Sequence, residues 1–387
     1  NGLGLNLYVD GRFGSFSTNR LDKKELETLI TNGIESTRYL AVDESRMLAD
    51  PARYYKGGKP DLQLFDKKLY EVNPDDKVAI ARAAAEEVLG KDERIISVDS
   101  SYSDGEGSSY RLISNGFEGE SKSTWFSVSA SVSIKGEGEA RPQDYWYDSA
   151  LFYDKLTKTG IGAKALERVL RKLGQKKAKS GKYTMVVDPM NVGNLLSPML
   201  SALYGSALQQ KNSFLMDKLD TKVASDLFTL RDEPHAIGAN GSRYFDNEGV
   251  ATEPRTVFDK GVLKTYFIDT YNGKKMDIAP TISAPSRLIL TPGDKDLNGL
   301  VADIKQGILV TGFNGGNSNS STGDFSYGIE GFLIEDGKLT QPVNEMNVTG
   351  NMVTLWNSLV AVGNDPQPNR SWQIPSLVFE GVDFSGL

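Results

Sequence analysis

Apolar and polar residues alternate over Leu3–Val9 and again over Arg12–Thr18, and the Asp10-Gly11 dipeptide between them is a two-residue turn signal. The pattern predicts a half-buried hairpin. The period then lengthens. Asp22 followed three residues later by Glu25 has the form of a capping box, and Leu26, Leu29, Ile30 and Ile34 recur at helical spacing to about Leu40. Residues 50–72 carry Pro51, Gly57, Gly58 and Pro60 and read as irregular. A second helix is announced by Asn73 and Pro74, carries Val78, Ala81, Ala85, Val88 and Leu89, and stops at Gly90. Strands are expected at Ile95–Tyr102 and Tyr110–Ser114. A longer one follows, in which Phe126, Val128, Ala130, Val132 and Ile134 face one way and serines 127, 129, 131 and 133 the other.

A basic helix is expected between Asp154 and Lys182, with Ala163, Leu166, Val169, Leu170 and Leu173 as its apolar stripe. Its cations read as a solvated face. The second half opens with a strand over Tyr183–Val187 and a helix over Asn191–Gln210, then becomes strand-rich. Phe258–Gly261 and Glu335–Lys338 have the look of hairpin turns. Between them, residues 311–337 are dense in glycine. Gly312, Gly315, Gly316, Gly323, Gly328 and Gly331 stand beside Phe313, Phe325, Tyr327 and Phe332, and a solvated linker would lack those aromatic groups. An ordered, sharply bent loop is the expectation.

Composition narrows the chemistry. The 387 residues exceed a usual single core, so two domains are expected, residues 1–181 and 182–387. The 44 basic and 51 acidic residues give a net charge of −7, which speaks against direct nucleic-acid binding. With no cysteine and one histidine, the ordinary zinc ligand sets cannot be assembled from this chain. No apolar run reaches the length of a bilayer span, so no membrane partner is expected. A start at Asn1 rather than Met suggests that something upstream is missing.

Each local motif has a bland reading beside its chemical one. Gly160, Gly162 and Ala165 fit a dinucleotide fingerprint before a helix, but residues 153–159 are too polar for the buried strand that should feed it. Helix-start geometry is preferred. His235 is the one imidazole available as a general base, and a structural role beside a proline-containing turn is favoured for it. Asp246, Glu248 and Asp324 could serve acid–base work, although carboxylates beside glycine usually lock turns. Tyr145, Trp146 and Tyr147 could line a groove, with a domain-boundary core as the safer expectation.

Three blocks of the second half are similar to the PmbA/TldD family, formerly labelled modulators of DNA gyrase. They are Ser242–Gly249 (SRYFDNEG), Thr322–Gly328 (TGDFSYG), and Gly350-Asn351 running on to Val362–Asp365 (VGND), in the family's order and spacing. The resemblance covers residues 183–387 and, more loosely, the first half, where Asp144–Tyr147 and the two-helix layout match; the front of the family's amino-terminal domain is absent. One kind of family member carries HExxxH on the helix corresponding to Asn191–Gln210 and uses zinc to activate water. Here Leu196, Ser197 and Ser201 stand, within a residue or so, at those positions, and the family's late cysteine ligand has no counterpart. Leucine cannot bind zinc, and neutral hydroxyls do not compensate its charge.

The resemblance therefore implies the second kind, the PmbA or TldE partner, which assembles with a zinc-bearing TldD-type homologue into a cytoplasmic protease for unfolded or small peptides. On that basis the chain is expected to hold no cofactor, metal or catalytic residue of its own. Its expected ligand is an extended peptide, held by main-chain hydrogen bonds along a groove of Gly312, Gly315, Gly316, Asp324, Phe325, Ser326 and Gly328. Two alternatives stand beside this one. The first is an independent hydrolase using His235 and acidic residues; the second is a self-associating regulatory protein, a homodimer. The expected fold is α+β: an N-terminal antiparallel sheet with helices, then a β-rich C-terminal core with a flanking helix.

Overall fold

The opening hairpin forms where the turn signal places it. In the computed structural model, which describes residues 1–387, β1 (Leu3–Val9) and β2 (Arg12–Thr18) pair antiparallel from Val9↔Arg12 to Leu3↔Thr18. Asp10 (φ 50°) and Gly11 (φ 73°) both take the left-handed conformation that a tight hairpin turn requires. Helix α1 (Lys23–Arg38) starts because the Asp22 carboxylate accepts the Glu25 amide at 3.1 Å. The capping box closes on one side only, since the Glu25 side chain lies 3.7 Å from Arg20 instead. Helix α2 (Pro74–Glu86) is likewise capped, Asn73 accepting the Asp76 amide at 2.9 Å.

The two short strands expected at 95–114 are one. β3 (Ile95–Ile113) runs unbroken beside β4 (Phe117–Ile134), and β5 (Gln143–Ala150) completes a three-stranded antiparallel sheet. The polar, glycine-containing middle of β3 reads locally as a loop, yet its partner strand holds it extended. Gly105 lies opposite Trp125, whose indole covers it so closely that an added Cβ would sit 3.0 Å from the ring. The alternation along β4 holds: Phe126, Val128, Ala130, Val132 and Ile134 are buried against α2 and α3 (Ile161–Leu170). The other face carries serine pairs, Ser97–Ser133 at 2.8 Å and Ser101–Ser129 at 2.9 Å. Burying five apolar side chains in this way, at about 25 cal/mol per Å², is what fixes the strand's register.

The second half is built around β6 (Gly181–Val187). The helix expected over Asn191–Gln210 is two pieces, α4 (Gly193–Ser201) and α5 (Gly205–Gln209). Between them Tyr204 is extended and bridges Phe267, and the Gly205 amide donates to the Phe267 carbonyl at 2.8 Å. That bridge is non-local, so helical periodicity does not reveal it. Strands β7 (Leu230–Asp232), β8 (Arg255–Asp259) and β9 (Val262–Leu263) follow, the last two joined by the expected turn, then α6 (Thr270–Met276), β10 (Leu288–Leu290) and α7 (Leu297–Ala302). The chain ends with β11 (Gln306–Ser318), β12 (Asp324–Glu335), β13 (Lys338–Asn351), α8 (Met352–Asn357), β14 (Leu359–Val362), β15 (Trp372–Gln373) and β16 (Leu377–Ser385).

Six of these strands form the main sheet in the order β13-β12-β11-β6-β16-β14, and it curls until β13 also pairs with β16. A smaller sheet has the order β15-β10-β7-β8-β9. Against one face of the main sheet lie Leu195, Leu196 and Met199 of α4 and Trp356 of α8, whose ring is 4.4 Å from Phe228 and 5.6 Å from Phe379. Against the other, Leu300, Val301 and Ile304 cover Val186, Leu309 and Phe332. The architecture is α+β, with the antiparallel sheet first and a strand-rich core after it. No helix is long and apolar enough to cross a membrane.

Strands β11 and β12 touch without side chains between them at Gly331, where an added Cβ would lie 1.8 Å from the Leu309 carbonyl. Gly331→Ala should therefore lower the unfolding free energy by about 3 kcal/mol. Gly107→Ala, with nothing within 4 Å, should stay within about 0.5 kcal/mol of the parent. Urea denaturation of the two variants checks both.

Candidate functional site

The glycine-rich run is not a loop but two strands and their turn. β11 pairs with β12 from Gln306↔Glu335 to Ser318↔Phe325, with bulges at Val310/Gly312 and Phe313/Gly316. Gly315 (φ 105°) and Gly316 (φ 101°) supply the left-handed backbone of the second bulge. Order comes from the neighbouring rings. Phe313 meets Tyr327 edge-on at 5.6 Å, and Phe325 stacks on Tyr327 at 5.4 Å. In the turn, Asp324 accepts from the Thr322 hydroxyl at 2.8 Å and from the Asn351 amide at 3.0 Å, and these bonds, Asn351 first, hold its pKa below the ordinary value.

On its other side β11 pairs with β6 through Gly307–Val310 only. Beyond Val187 the chain leaves the sheet toward α4, and no strand continues alongside Thr311–Ser318. The Asn191 side chain, itself fixed by Asp188 at 2.6 Å, donates to the Thr311 carbonyl at 2.8 Å and fills the first rung. Asp188 is buried at the strand end, and burial pushes its pKa up. From Gly312 onward the edge is open, and Asn314 to Asn317 are exposed. Of the proposed groove residues, Gly312, Gly315 and Gly316 lie on this edge strand, while Asp324, Ser326 and Gly328 lie on β12 with Phe325 turned into the core.

Leu196, Ser197 and Ser201 do not converge. Leu196 is fully buried in the main core, whereas Ser197 and Ser201 sit a turn apart on the exposed side of α4. A buried hydrocarbon and two neutral hydroxyls are not a zinc site, and no group of three or more His, Cys, Asp or Glu side chains elsewhere could hold one. The residues present do not fit the metal.

The other candidates are structural locks. Thr252 donates its hydroxyl proton to the Arg243 carbonyl at 2.5 Å, so it accepts from His235 Nε2–H at 3.0 Å. The ring packs 5.0 Å from Tyr244, and burial, helped by Lys59, lowers its pKa. Asp246 accepts the amides of Glu248, Val250 and Ser283 within 3.0 Å. Glu248 accepts the Thr270 amide and hydroxyl, and burial raises its pKa. The glycines of the fingerprint at 160–163 do bind an anion, but an internal one: Glu87 accepts the amides of Gly160 (2.6 Å), Gly162 (2.8 Å) and Ala163 (3.2 Å). Gly162 has no room for a Cβ, which would lie 1.9 Å from the Ala84 carbonyl.

Two features escape the sequence patterns. The basic helix face is not all solvated, because Arg168 and Lys172 reach the buried Asp144 carboxylate at 3.2 Å, and Lys172 also reaches Glu330 on β12 at 2.7 Å. This network ties the first sheet to the strand opposite Gly312. Nor is the aromatic triplet a single core element. Trp146 packs inward, while Tyr145 is 52% exposed and stacks on Tyr147 at 6.0 Å. Alternation along β5 was the signal available for that split.

Residues 180–386 match the family model described as the PmbA/TldA metallopeptidase C-terminal domain, and residues 67–173 match that of the PmbA/TldA metallopeptidase central domain. A metalloprotease PmbA homolog of Haemophilus influenzae is 28% identical over 392 residues, with 99% of this chain and 85% of that protein covered. The metalloprotease PmbA of Escherichia coli O157:H7 is 27% identical over 388 residues, at 99% and 85% coverage. A solved Bacteroides thetaiotaomicron protein, described as a candidate modulator of DNA gyrase, superimposes with TM-score 0.99 at 74% identity, covering 100% of this chain and 88% of that one. TldE from Thermococcus kodakarensis shares the fold, with TM-score 0.82 at 22% identity and coverage of 99% and 89%.

Gly316 is the glycine on which the strand edge depends, since a Cβ there would lie 2.0 Å from the Ser326 carbonyl on top of the positive φ. Gly316→Ala should speed amide exchange across β11 and β12, whereas Gly328→Ala, whose nearest neighbour is 3.5 Å away, should leave protection unchanged. Hydrogen exchange reads both. For His235 the folded pKa lies below the unfolded one, so the neutral ring's contribution is present above the unfolded pKa of about 6.5 and is lost as pH falls through it toward the lower folded value. His235→Gln should remove that component, so the difference between parent and variant urea midpoints should shift in the variant's favour from pH 7.5 to 5.5.

Proposed function

This chain belongs to the PmbA/TldD metallopeptidase family, and from that premise we propose that it is the peptide-holding, non-metal-binding subunit of a two-component protease. The family role is proteolysis-related. The finer assignment rests on this chain's own donors: with one histidine and no cysteine, and with Leu196 buried, it has nothing with which to hold a water-activating zinc. Hydrolysis falls to a zinc-bearing TldD-type homologue that assembles with it.

The observation that carries the reading is the open edge of β11 from Gly312 to Ser318. An extended peptide laid there gains main-chain hydrogen bonds whatever its side chains are, which suits unfolded or small peptides of varied sequence. The same bulges that twist this edge protect it from pairing indiscriminately with another copy. Glycine at 312, 315 and 316 keeps side chains from obstructing the approach.

The purified chain should show no peptidase activity, and a mixture with the HExxxH-bearing homologue should co-purify and cleave an unstructured peptide. Substrates N-methylated at alternate residues separate main-chain recognition from side-chain recognition. Methylation in the edge-facing register should weaken binding by about tenfold or more, and in the other register leave it unchanged. Zinc bound stoichiometrically by the isolated chain, with cleavage, overturns the assignment; indifference to methylation overturns the strand-edge mode.

A further inference from the structure

Several arginines make no ion pair, but where burial lowers the pKa of Arg255 and Arg287 a nearby carboxylate still acts on each, and none acts on Arg370. Arg94, Arg168 and Arg171 each reach a carboxylate, whereas Arg370 has no acidic partner, and the one titratable neighbour acting on it is Tyr145. Its guanidinium carbon lies 4.6 Å from the centroid of the Tyr147 ring. Burial lowers its pKa, so the cation has given up water without gaining a counter-charge.

The loop that presents it is built rather than loose. Asn369 takes a left-handed conformation (φ 60°), its carbonyl accepts from the Asn240 side chain at 3.2 Å, and Gln373 Nε2 donates to the carbonyls of Arg370 (2.7 Å) and Gln367 (3.2 Å). Tyr145 and Tyr147 come from β5 and Arg370 from the segment between β14 and β15, so the group forms only where the two halves of the chain meet. An arginine stacked on a ring offers its in-plane N–H fork outward, the geometry that matches a carboxylate. No other cation acts on its titration, so a singly charged anion suits the site better than a phosphate.

We propose that Arg370, backed by Tyr147 and flanked by Tyr145, is a recognition site for a peptide carboxylate, either the C-terminus or an acidic side chain. This rests on the peptide-holding role argued above and gives it a specificity that the strand edge lacks. Contacts link the two places: Tyr145 follows Asp144, which pairs with Lys172, and Lys172 reaches Glu330, the partner of Gly312 across β11 and β12.

The test is calorimetric titration of the full chain with one unstructured peptide in three forms: free C-terminal carboxylate, C-terminal amide, and amide with an internal Glu. The free acid should bind about tenfold tighter than the plain amide, with the preference abolished by Arg370→Met and partly kept by Arg370→Lys. The lysine variant preserves the test where the methionine variant does not fold. Equal affinity of the Glu-bearing amide and the free acid assigns the site to acidic side chains; a plain-amide affinity for the Glu form assigns it to the C-terminus. Equal binding of all three, or a preference that survives Arg370→Met, overturns the carboxylate site and leaves the strand-edge reading standing. Binding of none overturns both.

Discussion

The open edge exists because two neighbouring strands differ in length. β6 stops at Val187, three rungs after Gly307 pairs with Thr184, and β11 runs on to Ser318. A lone two-stranded extension is marginal in water, so the projecting part of β11 needs support from elsewhere. That support is close backbone contact with β12, allowed by Gly316, and a third strand, since β12 pairs with β13 through to Asn351. The aromatic ladder of Phe313, Tyr327 and Phe325 stiffens the projection. An edge can be left unpaired without fraying when the remaining sides are held this firmly.

The first half of the chain is positioned by charge as much as by apolar burial. Asp144, Arg168, Lys172 and Glu330 form a network whose side chains are each at most 16% exposed. Such groups are costly to desolvate, and a fully paired arrangement offsets that cost without adding much net stability. Its value is geometric. The network fixes β5 and α3 against β12 in one orientation, and that orientation brings Tyr147 beneath Arg370. Removal of Asp144 strands Arg168, and removal of Lys172 strands Glu330, so the two central members tolerate little drift between the halves.

Elements whose signal is local were legible in the sequence: the Asp10-Gly11 hairpin, the caps of α1 and α2, the alternation of β4, and the turns at 258–261 and 335–338. Those that failed were decided by distant partners. The middle of β3 is extended because of β4, and the helix after Asn191 breaks because Tyr204 pairs with Phe267. In the glycine-rich run the glycine density suggested a loop where two paired strands form, since composition reports backbone freedom and not which neighbour exploits it. The Glu87 carboxylate at the start of α3 shows the same limit. The fingerprint Gly160, Gly162, Ala165 does mark amides that bind an anion, and the anion is a side chain 73 residues earlier.

The proposed division of labour between two related subunits rests on what each part of a peptidase must do. Hydrolysis needs a cation, and a cation needs imidazole, thiolate or carboxylate donors converging within about 2 Å of one point. Holding a peptide needs only ordered amides and carbonyls, which every strand edge has. A chain can therefore lack the first property while having the second, because a helix without ligands still has a core to fill. Leu196 on α4 is committed to packing beneath the main sheet. A side chain buried there contributes to stability through the helix's apolar face, while the edge of β11, a few residues of backbone away through Asn191, stays exposed.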